Sequence, residues 1–212
     1  MPSRGSPLRI LYRDENIIAL EKPPGMLSVP GRGPEKQDSL ATRVQAEYPA
    51  AKTVHRLDMA TSGVIVMALD AEAHRELGRQ FEHREVSKKY IAVVHGVVAL
   101  DGGEVNQPIV KDFDRPPRHK ICQQYGREAI SRWKVIEREN DRTRLALSPI
   151  TGRSHQLRIH LQSIGHPILG DVLYAPDEVR AMSDRLLLHA SELTVTHPQM
   201  KQPLTMRSDC PF

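Results

Sequence analysis

The sequence predicts an α+β fold with a mixed, largely antiparallel β-sheet core and flanking helices. Strand-like runs outnumber helical ones, and many fall in sequence-adjacent pairs around short polar turns, as hairpins do. The 212 residues contain no internal repeat, linker or low-complexity stretch. The expectation is therefore a flexible N-terminal tail over residues 1–7, followed by one domain over 8–212.

Residues 8–12 and 17–20 are apolar and branched and flank the polar turn Arg13-Asp14-Glu15-Asn16, which predicts a hairpin. Lys22-Pro23-Pro24-Gly25 and Val29-Pro30-Gly31 give a stiff, irregular turn, because proline removes donors while glycine permits positive φ. Asp38 is positioned to cap a helix with Leu40, Val44 and Tyr48 on one face, ended by Pro49. Residues 63–68 are an apolar run that reads as a buried strand, after which Asp70 caps a second helix reaching residue 84. Strands are expected over 88–96, around 104–110, over 128–138 and over 142–147. Ser154 is the expected cap of a helix over 155–163 with the stripe Leu157, Leu161 and Ile164. A short helix over 175–183 and strands at 186–190, 193–196 and 203–207 complete the chain.

Charge is uneven. The chain carries 30 Lys and Arg against 26 Asp and Glu, and residues 111–134 alone hold seven cations against three anions, so the remainder is neutral. Asp114-Arg115-Pro116-Pro117-Arg118-His119-Lys120 can be neither helix nor central strand, which puts Arg115, Arg118 and Lys120 on an exposed loop able to reach a phosphate backbone. Cys122 and Cys210 are isolated, without metal or disulfide spacing, and no stretch has signal-peptide or membrane-span character. The cytoplasm is the expected compartment, and a monomer the expected state.

The chain's chemistry centres on His55-Arg56-Leu57-Asp58-Met59-Ala60-Thr61-Ser62-Gly63, which ties a carboxylate to the edge of the buried strand. An isolated Arg-x-Asp is ordinarily a structural ion pair. His155 and His160 lie five apart, the wrong spacing for two ligands on one helical face, so no metal is expected. His55, Asp58 and Ser62 name a hydrolase triad but lack a nucleophile elbow, and no phosphate-cradling glycine motif occurs. A single carboxylate working without cofactor is left. It would have to be ionised and held by an arginine, for which Arg56, Arg153 and Arg158 are candidates.

The run from His55 to Gly63 resembles the signature of the RluA family of pseudouridine synthases. Three further blocks match in order: Lys22-Pro23-x-Gly25 with Val29-Pro30; Lys88-Lys89-Tyr90; and Thr151-Gly152-Arg153-Ser154-His155-Gln156-Leu157-Arg158-x-His160, followed by Gly165-His166-Pro167-Ile168-x-Gly170-Asp171. The resemblance covers about residues 8–207 and implies the pseudouridine synthase fold, with no S4 domain ahead of it. It implies isomerisation of uridine in structured RNA, without cofactor or metal. Asp58 is then the reacting group, by sugar attack, base addition or sugar deprotonation. Tyr90 would stack on the uracil and Arg158 pair with Asp58. Arg56, with His55 beside it, would serve base flipping. Within the family the resemblance is greatest to the dual-specificity enzyme, whose targets are uridine 32 of tRNA anticodon stem-loops and uridine 746 of 23S rRNA. A different RNA site, a non-catalytic RNA-binding protein and a Ser62/His55 hydrolase are the competing readings.

Overall fold

The computed structural model describes residues 7–212; all but Pro7 of the expected N-terminal tail lies outside the described residues. Contacts gather the chain into two compact units. One runs to Lys88 and includes His189–Pro211, while the other comprises Lys89–Leu188 and Phe212.

In the first unit, β1 (Arg9–Arg13) and β2 (Ile17–Lys22) form the expected hairpin, and β2 pairs antiparallel with β4 (Ser62–Ala68). The two-residue β3 (Lys52–Thr53) also pairs antiparallel with β4. β11 (Leu188–Thr196) runs parallel to β4 and antiparallel to β12 (Pro203–Arg207). Every residue of β4 is buried because both faces of the sheet are covered. Ile17, Ala19, Val64 and Val66 pack with Ala73 and Leu77 of α2 (Ala71–Glu82). Ile18, Leu20, Ile65 and Met67 pack with Leu40 and Val44 of α1 (Leu40–Glu47). β11 corrects the sequence reading: the two strands expected around 186–196 are one, continuous through Ser191 and Glu192.

Caps follow geometry more than residue type. Asp70 caps α2 as expected, its Oδ1 accepting the Ala73 N–H at 2.8 Å. The α1 cap is Ser39 rather than Asp38, with a reciprocal box between Ser39 and Thr42. Asp38 instead grips the Arg43 guanidinium through two 2.8 Å bonds.

The second unit is built on the antiparallel order β5 (Ser87–His95), β10 (Arg142–Pro149), β9 (Ile130–Arg138) and β6 (Gly102–Asn106). The strand expected over 104–110 is divided at Gln107-Pro108, and its second part, β7 (Ile109–Lys111), pairs with β8 (His119–Ile121) as a separate hairpin. Trp133 is buried. α3 (Gln156–Ser163) departs from the predicted stripe, since residues 156–161 are all buried and Ile164 lies beyond its end, partly exposed. Its first turn has no serine cap: His155, left-handed at φ 58°, precedes it. α4 (Asp177–Arg180) is shorter than expected and begins after Pro176. Among the described residues no helix is long and apolar enough to cross a membrane.

Candidate active site

Asp58 sits in an irregular turn between β3 and β4, half-buried, and the backbone on both sides of it is fastened. Ser28 Oγ donates to the Leu57 carbonyl at 2.7 Å and accepts the Leu57 N–H at 3.0 Å. On the other side, the Met59 carbonyl accepts the Gly25 N–H at 2.8 Å and one bond from Lys22 Nζ at 3.1 Å. Lys22 is fully buried, and its ammonium also donates to the Pro23 and Met26 carbonyls at 2.9 and 2.8 Å. Three donors on three carbonyls match an ammonium's capacity. The Lys22-Pro23-Pro24-Gly25 turn is therefore a brace for the Asp58 turn. The Thr61 N–H closes that turn on the Asp58 carbonyl at 3.1 Å.

Gly63 is required immediately after. At φ 115°, a Cβ there would lie 2.2 Å from the Ala190 carbonyl oxygen of β11. Only a residue without a side chain allows that approach.

Arg56 and His55 take different positions. Arg56 is exposed. His55 stacks on Phe81 of α2 with ring centroids 4.5 Å apart, and its Nε2 accepts the Val66 N–H at 3.0 Å. The ring thereby continues the β4 ladder where β3 has ended. Burial and the Lys88 ammonium push its pKa down to about 3, so it is neutral with the proton on Nδ1. Ser62 donates not to His55 but to Nδ1 of buried His189, at 2.9 Å, while His189 Nε2 donates to the Ser208 carbonyl at 3.1 Å. This serine and its histidine are shut in the core, which removes the basis for a Ser62/His55 hydrolase.

Tyr90 and Arg158 belong to the second unit. Tyr90 is half-buried on β5 opposite Leu147 of β10. Arg158 is buried on α3, and its fork is taken by Asp171: Nε donates to Oδ2 at 2.8 Å and Nη2 to Oδ1 at 2.6 Å. These bonds occupy two of its five N–H donors.

The turn before α3 is organised by Gln156, whose Oε1 accepts from Thr151 Oγ1 at 2.7 Å and from the Arg153 N–H at 3.0 Å. Gln156 Nε2 donates to the Ile130 carbonyl and to Ser131 Oγ. His160 Nε2 donates to the Gln107 carbonyl at 3.0 Å while its Nδ1 meets Ser131 Oγ at 2.9 Å, and burial holds its pKa below the ordinary value. His155 meets the Tyr174 hydroxyl at 2.6 Å. Among the described residues, no group of three or more His, Cys, Asp and Glu is placed to hold a metal ion.

The basic loop joins β7 to β8. Lys120, expected on this loop, lies in β8 instead, and both it and Arg115 of the loop turn inward: Arg115 Nε and Lys120 Nζ donate to the buried carboxylate of Asp112 at 3.2 and 3.1 Å. The bond from Lys120 holds the Asp112 carboxyl below its ordinary range and raises the Lys120 ammonium in turn. Arg118 is half-buried, its guanidinium carbon 5.3 Å from the Tyr174 ring centre. Sequence reasoning did not single out Lys22 and Ser28 as braces of the Asp58 turn, nor Asp171 and Tyr174 as neighbours of Arg158. Lys22 and Asp171 stand in blocks that the sequence displays, but nothing in their spacing announces which backbone or guanidinium they hold.

A family model described as RNA pseudouridylate synthase matches residues 16–163. The chain is 52% identical over 204 residues to the dual-specificity RNA pseudouridine synthase RluA of Yersinia pestis, covering 96% of this chain and 99% of the relative. It is 51% identical over 206 residues to the protein of the same name in Escherichia coli K12, covering 97% and 94%. Two solved structures resemble it at 25% identity. Human RNA pseudouridylate synthase domain containing 1 has a TM-score of 0.84 over 100% of this chain and 87% of the other. Its counterpart domain containing 4 has 0.77 over 96% and 88%.

Proposed function

Since this chain belongs to the RNA pseudouridylate synthase family and so isomerises uridine to pseudouridine in RNA, we propose that Asp58 is its reacting group and that Tyr90, Arg158 and Arg56 serve it. What supports this reading is the bracing of Leu57 and Met59 by Ser28, Gly25 and Lys22. A group that must meet one sugar or base atom gains from a backbone that cannot drift.

In this reading the target nucleotide leaves its stack at a cost of a few kcal/mol, smaller in a loop than in a duplex. Arg56, exposed beside the turn, enters the vacated space. Asp58 promotes breakage of the N-glycosidic bond, and the uracil turns while held. C5 then bonds to the sugar carbon and releases its proton, with no outside reactant consumed. Tyr90 stacks on the base, and Arg158 serves Asp58 as its cation. His55, neutral and stacked, acts through position alone. The proposed targets are those of the dual-specificity relatives, uridine 32 of tRNA anticodon stem-loops and uridine 746 of 23S rRNA. The enzyme is proposed to act as one cytoplasmic, monomeric catalytic domain.

Asp58→Asn preserves shape and removes charge. Release of tritium from RNA carrying 5-tritiated uridine should fall to background while RNA binding persists, and release near the wild-type rate would overturn the assignment. Pseudouridine mapping in total RNA from cells with and without the protein identifies the sites. Loss at positions other than the two named would replace them.

A further inference from the structure

The buried pair of Arg158 and Asp171 has an organisation that ion-pair stability does not explain. Replacing a buried ion pair by apolar residues of similar volume is often neutral or stabilising, which directs attention to what this pair orients. Oδ1 of Asp171 accepts the backbone N–H groups of Leu173 and Tyr174 at 2.9 and 3.1 Å, besides the bond from Arg158 Nη2. Oδ2 accepts from Arg158 Nε. With four donors, two of them main-chain, the carboxylate cannot swing, and a planar fork bound to it has its plane and roll set.

Tyr174 completes the arrangement. Its ring is buried, with the guanidinium carbons of Arg158 and Arg118 at 5.1 and 5.3 Å from its centre. Its hydroxyl accepts the His119 backbone N–H at 2.9 Å and meets His155 Nδ1 at 2.6 Å. The C-terminal end of the basic loop and the helix of Arg158 are thus joined through one aromatic side chain.

We propose that Asp171 and Tyr174 are positioning residues for Arg158: Asp171 fixes the direction of its remaining N–H donors, and Tyr174 holds the guanidinium and ties the basic loop to it. The proposal rests on the reading of Arg158 as a cation of the active site.

The test is a double-mutant cycle between Asp171→Asn and Arg158→Lys, read as the single-turnover rate at saturating RNA, the RNA Kd and the melting temperature. Misplacing a group in an active site costs on the order of 10- to 100-fold in rate, and each single variant should lose that much while RNA affinity stays within about twofold. A group that acts only through Arg158 has nothing left to do once the fork is gone, so the double variant should be no slower than the slower single one. Multiplicative losses, or a wild-type rate for Asp171→Asn beside a slow Arg158→Lys, would overturn the positioning role and leave the Arg158 reading intact. A wild-type rate for Arg158→Lys would overturn both.

If Asp171→Asn does not fold, Tyr174→Leu and Tyr174→Phe decide. Phe keeps the ring face and should retain most of the rate, whereas Leu should lose about tenfold at unchanged RNA affinity. Equal rates for the two would overturn the role of the ring.

Discussion

The bond from the Val66 N–H to His55 Nε2 exists only while the imidazole is neutral, since a protonated ring has no lone pair to offer. Folding therefore lowers its pKa from 6.5 to about 3, with burial the larger cause and Lys88 the smaller. Between those values the unfolded chain binds a proton that the folded chain refuses. The His55 contribution is thus whole above pH 6.5 and is lost as the pH falls towards 3. One such proton gives a slope of up to about 1.4 kcal/mol per pH unit. His55→Gln, whose carbonyl can accept the same N–H but cannot titrate, should lose stability less steeply than wild type between pH 6.5 and 4.5, as measured by urea unfolding. Parallel curves would show that the ring does not titrate as described. The same bond makes His55 a scaffold residue, whereas its neighbour Arg56 is exposed.

At the scale of elements, the Asp58 turn depends on β4 and on what lies against it. Gly63 lets β11 approach in parallel register, with Ala190 directly opposite. Gly63→Ala must both adopt a backbone conformation costing about 1–3 kcal/mol and push β11 aside. A total loss of at least about 2 kcal/mol corresponds to a fall of roughly 4–8 °C in melting temperature for a chain of this length. Calorimetry showing less than about 2 °C would mean that the two strands separate at almost no cost. The cap of α1 shows the same dependence on neighbours, because Asp38 and Ser39 are both good capping residues. Ser39 closes the box with Thr42 while Asp38 is engaged by Arg43.

Over the whole molecule, the basic excess lies within residues 111–134, but it is less free than its composition implies. Arg115 and Lys120 share Asp112, and Arg118 lies against Tyr174. The Arg115 and Lys120 ends of these pairs are exposed although Asp112 is buried, so RNA phosphate can compete with Asp112 for both cations. Neutralising Arg115, Arg118 and Lys120 together should weaken RNA binding and flatten the plot of log affinity against log salt by about one unit for each phosphate that is no longer neutralised. An unaltered slope would remove the loop from the RNA interface. Arg118 should also slow turnover when replaced alone, through Tyr174, whereas Arg115 should affect binding only.

Local patterns determined much of this protein. The apolar run after Gly63, the paired strands, the Asp70 cap and the proline-stiffened basic loop all express short-range rules of periodicity, capping and backbone restriction. The ordered blocks from Lys22 to Asp171 carried the family and, with it, Asp58, Tyr90, Arg56 and Arg158 as candidates. Long-range partners were decided only by the tertiary structure. Lys22 reaches across to Met59, Ser62 to His189 and Arg158 to Asp171. Residues 156–161 of α3 are all buried instead of forming one stripe. Hydrogen-bond partners distant in sequence leave no periodic trace, because a buried polar group is satisfied by whatever carbonyl or carboxylate the fold brings within about 3 Å. The sequence therefore specifies which groups can do chemistry, and the packing of the chain specifies which of them are held still enough to do it.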